Sequence, residues 1–280
     1  MPGQAPWDAQ FLSRSPMFEP LRPVGGMLGE CIGWPGLDDF QRLADALERP
    51  PMTGSGLPLR FVAQGARSAE FSNGYEPRVY LRGELQTRSE NWHDLFNALA
   101  WLTFPRAKAA INAYHFALQQ QRRHAGAVQN RGSAQDALTL FDESGVIVVC
   151  SDPSLAGLLR DFRWKALFWE RRQDVVGAMK FFVFGHSLYE KALKPYPGMT
   201  GKGLVLMVED DFFGEPVAAQ TAEIDAMLAT MLGAPEAPRS AGDFCPVPLL
   251  GVPGWTPQNE AESWYEDTRY FRPGRSRPVG

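Results

Sequence analysis

The stretch that decides the fold is "NWHDLFNALAWLTFPRAKAAINAYHF", residues 91–116. Its first part is apolar on nearly every side of a helix, through Trp92, Leu95, Phe96, Leu99, Trp101, Leu102 and Phe104. A helix with that pattern is normally buried in a protein core. Pro105 fits the first turn of a following helix, because the N–H that proline lacks has no helical partner there. The sequence therefore predicts a central buried helix over 91–104 and a second helix over 105–123.

The second helix differs from the first in having a polar stripe. At helical spacing, one predicted face carries Lys108, Asn112, His115, Gln119 and Arg122. The opposite face carries Ile111, Tyr114 and Leu118. A stripe of this kind is typical of a helix with one face in water. We therefore expect this helix to accommodate its asparagine and histidine in solvent without cost.

The elements on either side complete a mixed pattern. Apolar periodicity predicts further helices over 37–49, 154–172, 187–194 and 215–232. Short apolar runs predict strands over 59–64, 78–83, 179–185 and 203–208. Residues 137–151 are predicted as a β-hairpin, because the Asp-Glu-Ser-Gly at 142–145 is turn chemistry.

We predict an α+β fold, a mixed and helix-rich single domain with a small sheet and irregular Pro-rich N- and C-terminal segments. Residues 1–35 are rich in Pro and Gly and are predicted as an irregular N-terminal arm, and 36–280 as the single α+β domain. The tail from residue 235 is predicted as extended loop, and 126–133 as a flexible connection.

Composition limits the classes of function. The formal net charge of −4 provides no overall attraction to nucleic acid or anionic lipid. The basic aromatic stretch over 160–172 suits nucleic acid, but we expect no strong binding. No run of eighteen apolar residues predicts a membrane span, and the N-terminus lacks the features of a secretory signal. We expect a soluble, cytoplasmic protein. The three cysteines form no CxxC motif, which gives a cysteine-based zinc site poor support.

The histidines carry the best signal for a site. His93 and Asn97 are four residues apart and share a face of the helix that we expect to be buried. An imidazole or amide buried without partners costs about 1–3 kcal/mol, so both need internal partners or a wet cavity. His186 follows a predicted strand and opens a helix, a position where reactive groups are commonly displayed. We predict that His93, Asn97 and His186 are the catalytic residues and line the principal pocket.

A metal site is a second hypothesis for the same region. Three imidazoles and a carboxylate, the side chains that zinc and similar divalent ions prefer, are available from His93, His115, His186 and Glu190. No HExxH or comparable spacing supports this set. A metal-free acid–base or ligand pocket, and histidines that are simply satisfied in the core or on the surface, stay open as alternatives.

Two other motifs favour structural interpretations. Gly185-His186-Ser187 begins like a hydrolase nucleophile elbow, but Tyr189 stands where its last glycine is needed, and no histidine follows His186. Ser187 and Glu190 instead have the spacing of a capping box. Asp142 and Glu143 could be paired carboxylates for acid–base work or metal binding, but they fall in the predicted hairpin turn, which favours a solvated position.

Several long motifs occur in order and carry a resemblance. They are "NWHDLFNALAWLTFPRAKAAIN", "LFDESGVIVV", "FVFGHSLYEKAL", "CPVPLLGVPGW" and "YEDTRYFRPGR". In these the chain resembles a bacterial family catalogued as domain of unknown function 3025, from about Tyr75 to the end. The resemblance implies one bacterial cytoplasmic domain and implies no activity.

The function predicted from the sequence is that of a soluble bacterial protein with a small-molecule or metal-assisted, hydrolase-like site. That site is centred on His93, Asn97 and His186. The alternatives are a non-catalytic interaction protein and a nucleic-acid accessory protein. The substrate, the metal and the oligomeric state are left open.

Overall fold

The computed structural model describes residues 5–66, 70–124, 132–234 and 237–274. Its α-helices in these ranges are α1 (Arg22–Gly25), α2 (Leu37–Asp45), α3 (Tyr75–Arg82), α4 (Trp92–Thr103), α5 (Pro105–His124), α6 (Ser133–Ser144), α7 (Pro153–Arg160), α8 (Arg172–Ala178), α9 (His186–Ala192) and α10 (Val217–Leu232). Its strands are β1 (Arg60–Ala63), β2 (Glu84–Thr87), β3 (Gly145–Cys150), β4 (Met179–Val183), β5 (Thr200–Met207) and β6 (Cys245–Pro248). The predicted mixed α+β class with a small sheet is confirmed.

The strands form two sheets. β1 and β2 make a two-stranded parallel sheet. The other four strands are ordered β4-β3-β5-β6. In this larger sheet β3 is antiparallel to β4 and parallel to β5, and β6 is antiparallel to β5. β3 is therefore an inner strand with a hydrogen-bonded neighbour on each side.

β3 separates two hydrophobic cores. All six of its residues are buried, and successive side chains of a strand point to opposite faces. Val146 and Val148 pack into one core, with α4 and the N-terminal turns. Ile147 and Val149 pack into the other core, with α5, α6 and α10. Helices thus cover both faces of the sheet, which explains the continuous apolar run of this strand.

The prediction of a central buried helix is confirmed by α4. Ten of its residues, from Trp92 to Thr103, are buried. The two that are not fully buried are His93 and Asp94, in the first turn. The side of α4 that is not covered by apolar packing is therefore the side that carries the candidate histidine.

The prediction of a solvated stripe on the second helix is wrong for its first half. Lys108, Asn112 and His115 on α5 are all buried. α3 covers this face, and Asn112 Nδ2 donates to the backbone oxygen of Glu76 at 3.1 Å. Neighbouring elements supply polar partners for the stripe, so it faces protein instead of water.

Two further sequence predictions are wrong. The strand predicted over 78–83 is wrong, because residues 78–82 belong to α3 and Gly83 follows the helix in the left-handed conformation that glycine tolerates (φ 68°). Residues 137–151 were predicted as a hairpin, but their first half is the end of α6 and only the second half is a strand, β3. Leu138 and Phe141, three residues apart, pack into the core from one helix face, and this packing overrides the turn-like composition that follows.

The remaining assignments are close to the structure. The predicted helices over 37–49, 187–194 and 215–232 correspond to α2, α9 and α10. The predicted helix over 154–172 is divided into α7 and a π-helical turn, Ala166–Glu170. The predicted connection over 126–133 lies largely outside the described residues. None of the helices in the described ranges has the length and apolar character that crossing a bilayer requires.

The terminal segments contribute to the core through short turns. The N-terminal segment contains three 3₁₀ helices, Phe11–Ser13, Pro16–Leu21 and Gly26–Glu30. Phe11, Phe18 and Leu21 of this segment are completely buried. In the C-terminal segment, which we predicted to lack regular structure, β6 extends the larger sheet. Division of the chain at residue 35 stays a prediction.

The first test concerns the core around α4. Leu99 is fully buried, so Leu99→Ala is expected to lower the free energy of unfolding by about 2–5 kcal/mol through lost burial and a residual cavity. The matched control is Leu81→Ala on α3, where the side chain is 46% exposed, and a change within about 0.5 kcal/mol is expected. Urea unfolding of both variants measures this, and equal losses would contradict the central position of α4.

The second test concerns Asp225 on α10, which accepts hydrogen bonds from the backbone N–H groups of Arg106 and Ala107 at 3.0 and 2.9 Å. Burial raises the pKa of this carboxyl from 3.8 to about 6, against the effect of those two hydrogen bonds. The folded protein therefore binds a proton more tightly than the unfolded chain, and its stability falls as pH rises between these values.

Because each pKa unit corresponds to 1.36 kcal/mol, the stability that the Asp225 carboxyl loses as pH rises through this range is about 3 kcal/mol. The free energy of unfolding of the wild type, minus that of Asp225→Asn, should decrease from about pH 4 to about pH 6 and be constant above. Urea unfolding at a series of pH values measures this difference. A difference that does not change with pH, or that increases, would show that the carboxyl titrates normally.

Candidate functional site

Two histidines from distant parts of the chain meet at the surface of the core. His93 lies in the first turn of α4, which is capped by Asn91 Oδ1 accepting from the N–H of Asp94 at 3.0 Å. His186 is the first residue of α9 and is 5% exposed. Their Nε2 atoms are 3.1 Å apart, with the rings nearly perpendicular. The predicted convergence of these two histidines is therefore present in the structure.

A close backbone contact brings a carboxylate to the same point. Gly185, just before α9, lies against the end of α6, where an added Cβ would collide with backbone atoms of Glu143 and Ser144. The N–H of Gly185 also donates to Gly145 O at 3.0 Å. Only glycine permits this approach, and it places Glu143 Oε2 3.4 Å from His186 Nε2.

The predicted solvated turn at 142–143 is thus wrong. Asp142 and Glu143 are in the last turn of α6, and both face the site. The capping box predicted for Ser187 and Glu190 is also absent. The Ser187 hydroxyl donates to Glu143 Oε2 instead, and no side chain caps α9.

Glu190 contacts the outer nitrogen of the first histidine. Its Oε2 is 3.2 Å from His93 Nδ1. A carboxylate only accepts hydrogen bonds, so the proton lies on Nδ1, and the Nε2 of a neutral His93 presents a lone pair. The hydrogen bond to Glu190 raises the pKa of His93, against the opposing effect of burial, with further contributions from Glu143 and Asp94.

The second histidine has an unsatisfied nitrogen. If His186 Nε2 donates to the lone pair on His93, the Nδ1 of a neutral His186 carries no proton. This Nδ1 is buried and has no hydrogen-bond partner among the described residues, and Asp142 Oδ2 faces it at 3.8 Å. A lone pair facing a carboxylate is unfavourable. A cation between the rings, or a second proton on His186, removes this conflict.

The charge state of Glu143 is fixed by its neighbours. Burial opposes its ionisation, but hydrogen bonding to His186 and Ser187, together with the charge that the two imidazoles carry when they are protonated, lowers its pKa to about 2. Glu143 is therefore a carboxylate at neutral pH. One donor atom from each of His93, His186 and Glu143 lies within 4.8 Å of the others.

A buried polar network lies beside this group. Lys108, which is 3% exposed, donates to Asp142 Oδ1 at 2.6 Å and to Asn97 Oδ1 at 3.0 Å. Asn97 Nδ2 in turn donates to the hydroxyl of Tyr75 at 3.0 Å. The predicted catalytic residue Asn97 is thus satisfied on both sides of its amide and holds Tyr75 in place.

These groups line a cavity of about 480 Å³. Its wall includes His93, His186, Glu143, Asp142, Asn97 and Tyr75. His115, which was predicted as a metal ligand, lines the same cavity but contributes no donor to the compact group of three. Glu190, the other predicted ligand, contacts the far side of His93.

Sequence reasoning missed Glu143, Asp142, Lys108 and Tyr75 as members of the site. The apolar spacing of Ala137, Leu138 and Phe141 would have indicated a helix and removed the hairpin. No local pattern indicates Tyr75, because its partners are more than twenty residues away.

The family of the chain is now clear. The profile of the family described as Protein of unknown function (DUF3025) matches residues 59–275. This range covers most of the 280 residues, and the chain belongs to that family. No curated protein and no solved structure matches the chain. The chemistry of the site is therefore argued from its own geometry.

The third test concerns the buried ion pair. Lys108→Met leaves the Asp142 carboxylate without its ammonium partner and is expected to lower the free energy of unfolding by about 3 kcal/mol. Because Asp142 is 19% exposed, water reduces this loss relative to a fully buried pair. The double variant Lys108→Met/Asp142→Asn should be more stable than the sum of the two single losses predicts, by at least about 1 kcal/mol. Urea unfolding of the four proteins measures the coupling, and additive losses would show that the pair does not stabilise the fold.

Proposed function

We propose that the protein is a metal-dependent hydrolase of a small polar molecule, with a divalent ion held by His93, His186 and Glu143. The observation that carries the proposal is the convergence of two imidazole nitrogens and one carboxylate oxygen at the wall of the 480 Å³ cavity. Two histidines and a carboxylate with an open side are a common ligand set of catalytic zinc.

The distances support a tetrahedral ion. Bonds of about 2.0–2.1 Å at tetrahedral angles separate two ligand atoms by about 3.3–3.4 Å. The two Nε2 atoms are 3.1 Å apart, and His186 Nε2 is 3.4 Å from Glu143 Oε2. An ion is accommodated on those two edges with shifts of a few tenths of an ångström. The third edge, between His93 and Glu143, lies within 4.8 Å, and closing it to the tetrahedral value needs a rotation of the Glu143 side chain that moves its carboxylate by about 1 Å.

The outer contacts also suit a metal site. Ligating histidines usually donate their second N–H to a carboxylate, which fixes the tautomer. Glu190 accepts from His93 Nδ1 in this way. With an ion on His186 Nε2, the proton of His186 moves to Nδ1 and faces Asp142 Oδ2 at 3.8 Å, where a side-chain shift of about 0.6–0.8 Å makes a hydrogen bond.

A divalent ion at this point acts as a Lewis acid and makes water a stronger nucleophile at neutral pH. The protein side chains have separate roles. His93, His186 and Glu143 bind, while Glu190 and Asp142 orient the two imidazoles. The polar wall formed by Asn97 and Tyr75 faces the substrate on the cavity side.

A metal-free site is the second candidate. The 3.1 Å separation of the two Nε2 atoms is also that of a hydrogen bond between the rings. In this case the His93–His186 pair shares a proton and serves as a general base, with Glu190 stabilising the charged form of His93. A second proton on His186 then takes the place of the ion.

Metal binding separates the two candidates and is the fourth test. Elemental analysis of untagged protein and titration calorimetry with zinc should show one ion per chain, and cobalt should give the absorption of a tetrahedral site. His93→Gln, His186→Gln and Glu143→Gln are each expected to weaken zinc binding by more than about 100-fold. Asp142→Asn acts through His186 and is expected to weaken it by about 10–100-fold.

The matched control is His115→Gln, which changes the same residue type in the wall of the same cavity and should preserve zinc affinity. If the wild type binds no stoichiometric metal, the hydrolase proposal fails and the metal-free pair is favoured. If His115→Gln loses zinc as completely as His93→Gln, His115 belongs in the ligand set.

A further inference from the structure

Tyr75 is held by two donors at once. Its hydroxyl oxygen accepts from Asn97 Nδ2 at 3.0 Å and from the indole Nε1 of Trp101 at 3.3 Å. The indole N–H can only donate, so the hydroxyl must accept in that contact. Two accepted hydrogen bonds occupy both lone pairs of the oxygen and leave its proton to point in another direction.

The orientation of Asn97 is also determined by its partner. Lys108 Nζ has no acceptor, so the amide atom facing it at 3.0 Å must be the oxygen, Oδ1. The NH₂ group of Asn97 therefore faces Tyr75 and donates. Lys108, anchored on Asp142, thus fixes the amide of Asn97 and through it the direction of the hydroxyl.

The hydroxyl of Tyr75 donates to no acceptor within the described part of the chain, and Tyr75 lines the cavity that contains His93 and Glu143. We infer that Tyr75 donates a hydrogen bond to the carbonyl oxygen of an amide or ester substrate bound at that site. The inference rests on the proposed function and adds to it a substrate class and a residue that touches the substrate.

The chemistry suits a donor that keeps its proton. Attack of water on the carbonyl carbon forms a C–O bond and moves the π pair onto the carbonyl oxygen, where Tyr75 stabilises the charge. Return of that pair breaks the bond to the leaving amine or alcohol, which departs with a proton from the water. Tyr75 is 38% exposed, but desolvation of its hydroxyl and the nearby Glu76 and Asp142 raise its pKa above the usual value of 10, so the hydroxyl keeps its proton at neutral pH.

Charge in the cavity favours a neutral carbonyl compound over a phosphate ester. Within the described part of the wall, Arg88 is paired with Asp94 at 2.7 Å. The neighbouring Lys108 is paired with Asp142. Neither cation is therefore left without a carboxylate, and Glu143 and Glu76 add negative charge at the wall. The two charges of the proposed ion are offset by Glu143 and Glu76, so the wall keeps no unpaired cation for the charges of a phosphate, whereas an uncharged amide or ester needs only a donor for its oxygen.

The test uses acetohydroxamate, a small carbonyl compound that binds zinc, as the probe of the zinc-loaded protein. Titration calorimetry should show acetohydroxamate binding to the wild type and binding about tenfold weaker to Tyr75→Phe, because one hydrogen bond to a charged oxygen is lost. Zinc affinity, measured with zinc alone, should be equal in the two proteins. The matched control is Tyr80→Phe, which removes a hydroxyl outside the cavity wall and should bind the probe like the wild type.

Asn97→Asp gives a second, independent variant. A carboxylate at 97 still accepts from Lys108 but can no longer donate, so Tyr75 turns its proton toward residue 97. Probe affinity should fall about as far as in Tyr75→Phe while zinc affinity is kept, which loss of folding would not produce.

The outcomes distinguish the two proposals. Absence of zinc binding by the wild type overturns the proposed function and this inference with it. Intact zinc binding overturns only the role of Tyr75 if the wild type does not bind acetohydroxamate or if Tyr75→Phe binds it with unchanged affinity.

Discussion

The close contact between Gly185 and the end of α6 is the constraint on which the arrangement of the site depends. It joins two corners of the chain, the α6–β3 junction and the β4–α9 junction, at a distance that no other residue permits. β3 and β4 are antiparallel neighbours, so these corners lie at the same end of the sheet. The sheet therefore delivers Glu143 and His186 to one point, and the missing side chain of Gly185 lets them approach within hydrogen-bonding range.

α4 positions the remaining member of the site, His93, from a different part of the fold. Its apolar residues fix it in the core, and only the first turn reaches the cavity. His93 therefore has little freedom, because any movement of its backbone would disturb the packing of Trp92 and Phe96 beneath it. A rigid helix that carries one ligand and a sheet corner that carries two others provide the preorganisation that a metal or substrate site needs.

The site combines elements placed by local apolar patterns with contacts between distant parts of the chain, and only the first kind could be predicted from the sequence. The burial of α4 and the functional interest of His93 and His186 follow from local apolar patterns and from polar residues that interrupt them. Glu143 was assigned to a solvated turn because Asp-Glu-Ser-Gly has turn composition, whereas the packing of Phe141 keeps the segment helical. Its contact with His186 joins residues more than forty positions apart, and no local rule contains that information. The same holds for Tyr75, whose role depends on which atom of Asn97 faces Lys108.

The balance of charge argues that the site has a use beyond stability. The fold gathers three carboxylates around two imidazoles. Asp142 is 19% exposed, and Glu143 and Glu190 are 40% and 42% exposed. Like charges held this close repel one another. Lys108 compensates Asp142, but two carboxylates remain against histidines that are neutral or share one charge. The divalent cation that we propose on His93, His186 and Glu143 would neutralise this excess and would place a proton on the buried His186 Nδ1, facing Asp142. Both an ion and an additional proton account for the 3.1 Å approach of the two imidazoles and for the proton placed on His186 Nδ1, but only a divalent ion carries enough charge to offset two carboxylates.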